Sequence, residues 1–123
     1  MLLTSEAKTI TLFFSTTPYG SERAHTVLKL AEAALARGHR VNLFASSDAV
    51  YGAVSKQKVR GLPDIGAQLE GLMRRGARVD LCGSCLQYRG LGRDRLIPGA
   101  EPSSLKNLFG MVQDSDVFLT FTG

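Results

Sequence analysis

The sequence predicts an α/β fold: a three-layer α/β/α sandwich around a mainly parallel sheet of four to five strands. Three observations carry that expectation. Short apolar runs with a strand rhythm recur at Thr9 to Ser15, Val41 to Ala45, Val79 to Cys82 and Val117 to Phe121. Between them lie stretches in which apolar residues return every third or fourth position, and glycine or proline marks most of the junctions. Strands that alternate with helices along a chain are the pattern of βαβ units, whose crossovers cover both faces of a parallel sheet. At 123 residues the chain holds one domain, expected over residues 9–123 behind a flexible tail of residues 1–8, with no internal repeat and no linker.

In Thr9 to Ser15, Ile10, Leu12 and Phe14 alternate with Thr11 and Phe13, as in a strand covered on both sides. Thr16-Thr17-Pro18-Tyr19-Gly20 has the chemistry of a turn, and Ser21 is the expected N-cap of a long helix. Ala24, Val27, Leu28, Ala31, Ala34 and Leu35 give that helix one apolar face, and Gly38 ends it. After the second strand, Ser46-Ser47-Asp48 caps a short segment running from Ala49 to Val54 and containing Tyr51; Lys56 to Leu62 reads as a polar surface loop. Pro63-Asp64 opens a helix with Ile65, Leu69, Leu72 and Met73 in one stripe, stopped by Gly76. Beyond Gly90 the chain is rich in glycine and proline, with Leu96-Ile97 expected as a short strand inside the most mobile segment. Ser103 or Ser104 then caps a last helix carrying Leu105, Leu108, Phe109 and Val112, and Val117 to Phe121 closes the sheet. Periodicity leaves the strand order open.

Hydrophobic residues make up 44% of the chain and the mean hydropathy is +0.01, values of a soluble globular protein. Met1 to Ala7 is no signal peptide, and no stretch approaches the roughly 20 apolar residues of a membrane span, so a cytoplasmic location is expected. The net charge is +4, and the excess is concentrated from Arg74 to Arg95, where six arginines face two acids. No stacked aromatic series or RNA-binding signature accompanies that charge, and direct nucleic-acid binding is not expected. An acidic protein partner or a more reactive thiolate accounts for the arginines equally well.

The chemistry concentrates in V-D-L-C-G-S-C-L-Q-Y-R-G, Val79 to Gly90. Cys82 stands where a strand passes into a helix, opened by Gly83 and Ser84. Free N–H groups at a helix start favour a thiolate over a thiol. Cys82 and Cys85 are three apart, so a disulfide between them closes almost no loop; in a reducing compartment such a pair points to redox, sulfur or metal chemistry. His25 and His39 stand at no spacing that completes a zinc site with C-G-S-C, and neither a metal nor another cofactor is expected. One glycine in Pro18-Tyr19-Gly20-Ser21 is too few for a phosphate loop. Cys85, one turn on, points either inward or toward Cys82. Arg89 matters to the thiols only if it faces them. Tyr19 and Tyr51 follow the first and second strands at the same sheet end, where each either lines a crevice or packs in the core.

Several segments together resemble the DsrE/TusD family of sulfur-relay proteins over nearly the whole chain. They are Pro18-Tyr19-Gly20-Ser21 before the long helix, Gly38-His39 before the second strand, Val50-Tyr51 after it, Cys82 through Arg89-Gly90, Ser103-Ser104-Leu105, and the aspartate-led strand at Asp116. The resemblance implies a small subunit of a homo- or hetero-oligomeric trimer or hexamer. It places a sulfur-accepting cysteine on Cys82, loaded as a persulfide by a donor protein and unloaded by a thiol-bearing acceptor protein. Cys85 departs from the TusD pattern, in which a small apolar residue tends to stand there.

A sulfur carrier needs an accessible thiolate of depressed pKa and no general base, so the absence of a His or carboxylate partner weighs against a cysteine hydrolase and not against a carrier. Two other readings stay open: a dithiol-disulfide redox protein using Cys82 and Cys85, and a non-catalytic oligomeric scaffold. Reaction of Cys82 with a mild alkylating agent separates the scaffold from the other two.

Overall fold

The computed structural model describes residues 6–20, 22–57 and 60–122. Five strands appear in the order of the chain as β1 (Thr9–Phe14), β2 (Arg40–Ala45), β3 (Arg78–Cys82), β4 (Glu101–Ser103) and β5 (Val117–Phe121). Between them stand α1 (Arg23–Ala36), α2 (Ile65–Arg74), α3 (Gly83–Tyr88) and α4 (Leu105–Asp114), with a tight helical turn at Ser47–Ala53 after β2. The strands lie in the order β4-β3-β2-β1-β5, and every ladder is parallel. From β1 to β4 the chain steps one strand at a time in one direction, and then it returns past β1 to lay down β5. Right-handed crossovers therefore put α1 and α2 on one face and α4 on the other.

The side chains agree with that division. Leu12, Val41, Leu43, Val79 and Leu81 share a buried cluster with Val27, Leu28 and Ala31 of α1 and with Leu69 and Leu72 of α2. The register sets Leu119, Leu12, Leu43 and Val79 side by side across four strands, so the apolar rows coincide. On the opposite face, Thr11 meets Ser115 at the end of α4, and Asn42 Nδ2 donates to Thr11 Oγ1 at 3.2 Å.

The expected caps divide. Asp64 accepts from Ala67 N–H at 3.0 Å and Ser104 from Asn107 N–H at 3.2 Å, so both helices start on the predicted chemistry. Ser21, the cap expected for α1, lies outside the described residues; Glu22 stands in the capping position. Most of the expected tail, Met1–Ser5, also lies outside them, while Lys8 N–H donates to His39 Nδ1 at 3.0 Å and fastens the chain just before β1.

One expectation is corrected. Leu96-Ile97 is not a strand of the sheet: Leu96 makes a single antiparallel bridge with Val54, and the fourth strand is Glu101–Ser103. Pro102 is tolerated there because β4 is an edge strand, bonded on one side only. The segment expected to be mobile is also fastened. Leu96, Ile97 and Ala100 are buried, Ile97 N–H donates to Ala53 O at 2.8 Å, and Ser55 N–H donates to Arg95 O at 2.7 Å.

Candidate functional site

β2 and β3 are neighbouring parallel strands, so their carboxyl ends open onto the same edge of the sheet, and the cysteines and the Ser46-Ser47-Asp48 segment meet there. Cys82 ends β3 and occupies the capping position of α3. Gly83 follows because nothing larger fits: a Cβ built on it would stand 2.9 Å from the carbonyl oxygen of Ser103 in β4. That close approach fixes where α3 begins. One turn later Cys85 faces back across the edge to the chain leaving β2.

There Ser47 N–H donates to Cys85 Sγ at 3.1 Å, and the Ser46 hydroxyl lies 3.6 Å from the same sulfur. Ser47 has φ +54°, a left-handed backbone that a residue with a side chain rarely adopts. The segment is held from behind, since Ser46 N–H donates to Phe14 O at 2.9 Å. Arg89 closes the arrangement. Its Nε and Nη2 donate to Asp48 Oδ1 at 3.1 and 2.7 Å, its Nη1 donates to Cys85 O at 3.1 Å, and its guanidinium carbon stands 5.8 Å from the centroid of the Tyr51 ring. The guanidinium thus ties α3 to the Ser47–Ala53 turn and holds the two walls of the crevice together.

Both thiols are free and partly exposed, and they lie close enough for each to shift the ionisation of the other. Their environments push them apart. For Cys85, burial works against the thiolate, but the hydrogen bonds from Cys82, Ser46 and Ser47 N–H, together with the charge of Arg89, outweigh it and lower the pKa. Burial raises the pKa of Cys82, as do the hydrogen bond it shares with Cys85 and the charge on that neighbour. Backbone N–H groups of Cys85 and Ser84 act the other way on Cys82 without prevailing. The helix start at Cys82 is thus outweighed there by burial and by Cys85, and of the two sulfurs it is Cys85 whose pKa is lowered, because it draws donors from the Ser46-Ser47 segment and feels the charge of Arg89.

The residues singled out from sequence separate accordingly. Cys82, Gly83, Ser84, Cys85, Tyr51 and Arg89 come together. Tyr19 does not join them; it packs against the main core, and its buried hydroxyl has no hydrogen-bonding partner among the described residues. Ser46, Ser47 and Asp48, read from sequence only as a capping cluster, are site residues. The available signal was their place at the end of the second strand, which required knowing that this strand lies beside the third. The basic stretch is partly neutralised within the chain: Arg78 pairs with Asp80 at 3.0 Å, Arg89 with Asp48 at 2.7 Å and Arg93 with Glu101 at 3.0 Å.

Comparison with known proteins bears on the family and the fold. An uncharacterised protein of Methanocaldococcus jannaschii is 36% identical over 111 residues, which span 90% of this chain and 97% of that protein. Protein YchN of Escherichia coli is 35% identical over 106 residues, 85% of this chain and 91% of YchN. The crystal structure of YchN superposes with a TM-score of 0.86 at 32% identity, covering 94% of this chain and all of that one. A protein of unknown function from Methanobacterium thermoautotrophicum shares the fold, with a TM-score of 0.73 at 13% identity over 93% of this chain and 99% of that one. The DsrE/DsrF-like family model matches residues 8–121, and the chain belongs to that family.

Proposed function

We propose that this chain is a sulfur-carrier, or sulfurtransferase, subunit. A thiolate of the Cys82/Cys85 pair takes sulfane sulfur from a persulfide-donating protein, holds it as a cysteine persulfide, and yields it to a thiol-bearing acceptor protein in a relay serving sulfur oxidation or thiolation. The observation that carries this reading is the partly exposed pair at the β2–β3 edge, with Ser47 N–H and the Ser46 hydroxyl turned to one sulfur, whose pKa they and Arg89 lower. Attack on a persulfide requires an accessible thiolate and a tolerable leaving thiolate, and no base. The site works with both thiols free, as in the reducing cytoplasm, and neither nucleic acid nor membrane takes part. Among the described residues, no helix is long and apolar enough to cross a membrane.

Assembly as a homo- or hetero-trimer or hexamer is part of the same proposal. Leu105 and Phe109 of α4 are 67% and 70% exposed, and Phe118 of the edge strand β5 lies beside them in an apolar hollow. Such a face suits another subunit better than water.

The test is the mass of the native protein after incubation with a persulfide donor. Gain of one sulfur atom, or its discharge as sulfide with the loss of two hydrogens, abolished when both cysteines are replaced by serine, supports the carrier; the absence of both changes refutes it. The closeness of the two free thiols favours a second reading, a dithiol-disulfide redox protein. Catalysed reduction of insulin disulfides without sulfur uptake would favour that alternative.

A further inference from the structure

The carrier reading leaves open which sulfur does what, and the family resemblance points to Cys82. The hydrogen bonding points elsewhere. Cys85 Sγ receives Ser47 N–H at 3.1 Å and lies 3.6 Å from the Ser46 hydroxyl, while Arg89 anchors the Cys85 carbonyl at 3.1 Å. The donors to the sulfur come from the loop after β2, and Arg89, which grips Asp48 and the Cys85 carbonyl together, holds Cys85 against that loop, so the two elements form a preorganised cradle for negative charge on the sulfur. Ser47 keeps its N–H aimed at the sulfur through a left-handed backbone at φ +54°. Cys82 stands beside the cradle, at the end of β3 and the start of α3, close enough for its thiol to interact with Cys85.

We infer that Cys85 is the sulfur-accepting nucleophile and Cys82 the resolving thiol, which discharges an undelivered persulfide as sulfide. The inference rests on the carrier reading and assigns roles within it. In loading, the Cys85 thiolate attacks the outer sulfur of the donor persulfide. A bond forms from Cys85 Sγ to that sulfur, the donor S–S bond breaks, and the donor leaves as a thiolate. An acceptor thiolate that attacks the outer sulfur takes it away and restores Cys85. Without an acceptor, Cys82 gives up its proton and attacks Cys85 Sγ. The Cys82–Cys85 disulfide forms, the bond to the outer sulfur breaks, and that sulfur leaves with the proton as hydrogen sulfide. The sulfane sulfur is reduced by two electrons and the two thiols are oxidised by two. An external dithiol reductant returns the pair to its starting state.

The test treats wild type, Cys82→Ser and Cys85→Ser with glutathione persulfide, following intact mass, modified peptides and released sulfide. Cys82→Ser is expected to keep one added sulfur on Cys85 and to release no sulfide by disulfide formation. Cys85→Ser is expected to load at least about tenfold more slowly, because the remaining Cys82 thiol receives no donor from the Ser46-Ser47 segment. Wild type is expected to load and then release sulfide as its mass falls by two hydrogens. Uptake on Cys82 at the wild-type rate in Cys85→Ser overturns the assignment. So does sulfide release from Cys82→Ser at the wild-type rate.

Iodoacetamide labelling of the native protein tests the order of reactivity without any sulfur donor. Cys85 is expected to react first, with an upward shift in its pH midpoint in Arg89→Lys, because a lysine cannot bridge Asp48 and the Cys85 carbonyl together. Faster labelling of Cys82 overturns the role assignment even if the protein carries sulfur. Absence of sulfur uptake in every form, with Cys85 still labelled first, removes the carrier function and leaves the nucleophile in place.

Discussion

Replacing Gly83 by alanine tests the contact that positions α3. Gly83 is the first residue of that helix, where alanine is conformationally acceptable, so the outcome depends on space. The added Cβ would stand 2.9 Å from Ser103 O, a backbone atom of β4. That atom has little room to retreat. Ser103 is paired with Cys82 across the sheet, and its hydroxyl donates to Asp80 Oδ2 at 2.6 Å. Overpacking of this kind costs about 1–3 kcal/mol. The intrinsic preference of a helix for alanine over glycine offsets at most about 1 kcal/mol. Because the atom met is backbone with little room to retreat, the cost lies in the upper part of that range, about 2–3 kcal/mol, and the net destabilisation is about 1–2 kcal/mol. With an unfolding entropy in the ordinary range for a chain of 123 residues, each kcal/mol lowers Tm by about 4 °C. Thermal denaturation should therefore show a fall of about 4–8 °C. Relief of the clash tilts α3 away from β4 and carries Cys85 off Ser47 N–H, so iodoacetamide labelling of Cys85 at neutral pH should slow in the same variant. A Gly83→Ala protein as stable as wild type, with unchanged Cys85 reactivity, would refute the claim that this contact sets the helix.

Two other outcomes follow from the structure. Asp80 is 2% exposed and accepts from Arg78 Nε and Nη2, each at 3.0 Å, as well as from Ser103. Asp80→Ala leaves the Ser103 hydroxyl without its acceptor but no charge buried, because the Arg78 side chain is 55% exposed. The expected loss is about 1–3 kcal/mol by denaturant titration, smaller for Asp80→Asn, and equal losses in the two variants would contradict the account. Phe109→Glu alters a side chain that is 70% exposed in the single chain, so the fold should survive, and under the proposed assembly through this face the mass by light scattering should fall toward one subunit. An unchanged oligomer would move the interface elsewhere.

The pH dependence of labelling has a definite sign. The Cys85 thiolate is favoured in the folded protein, so its reactivity persists below the ordinary thiol range and is lost as pH falls through its lowered pKa. Cys82, whose pKa is raised, gains reactivity only as pH rises beyond that range. This separation is the pH counterpart of the labelling order expected above.

The alternation of two-residue and 3.6-residue periods determined the α/β class. It also located β1, β2, β3 and β5, the starts of α2 and α4, and the cysteines at a strand end, because each of these is set by residues close together in the chain. β4 escaped it: Glu101-Pro102-Ser103 has no apolar rhythm, since an edge strand pairs on one side and need not be apolar on two faces. Leu96 and Ile97 look more like a strand and are apolar for another reason, their burial beside the end of the Ser47–Ala53 turn. The strand order was also out of reach, and the site depended on it. Ser47 and Cys85 lie 38 residues apart in sequence and meet only because β2 and β3 are neighbours. The sequence alone determined that two thiols would stand at the rim of a parallel sheet. Which of them ionises more readily was decided by tertiary structure, because a sulfur's pKa follows from the donors and charges within a few ångströms of it, and here those come from both sides of a long-range contact.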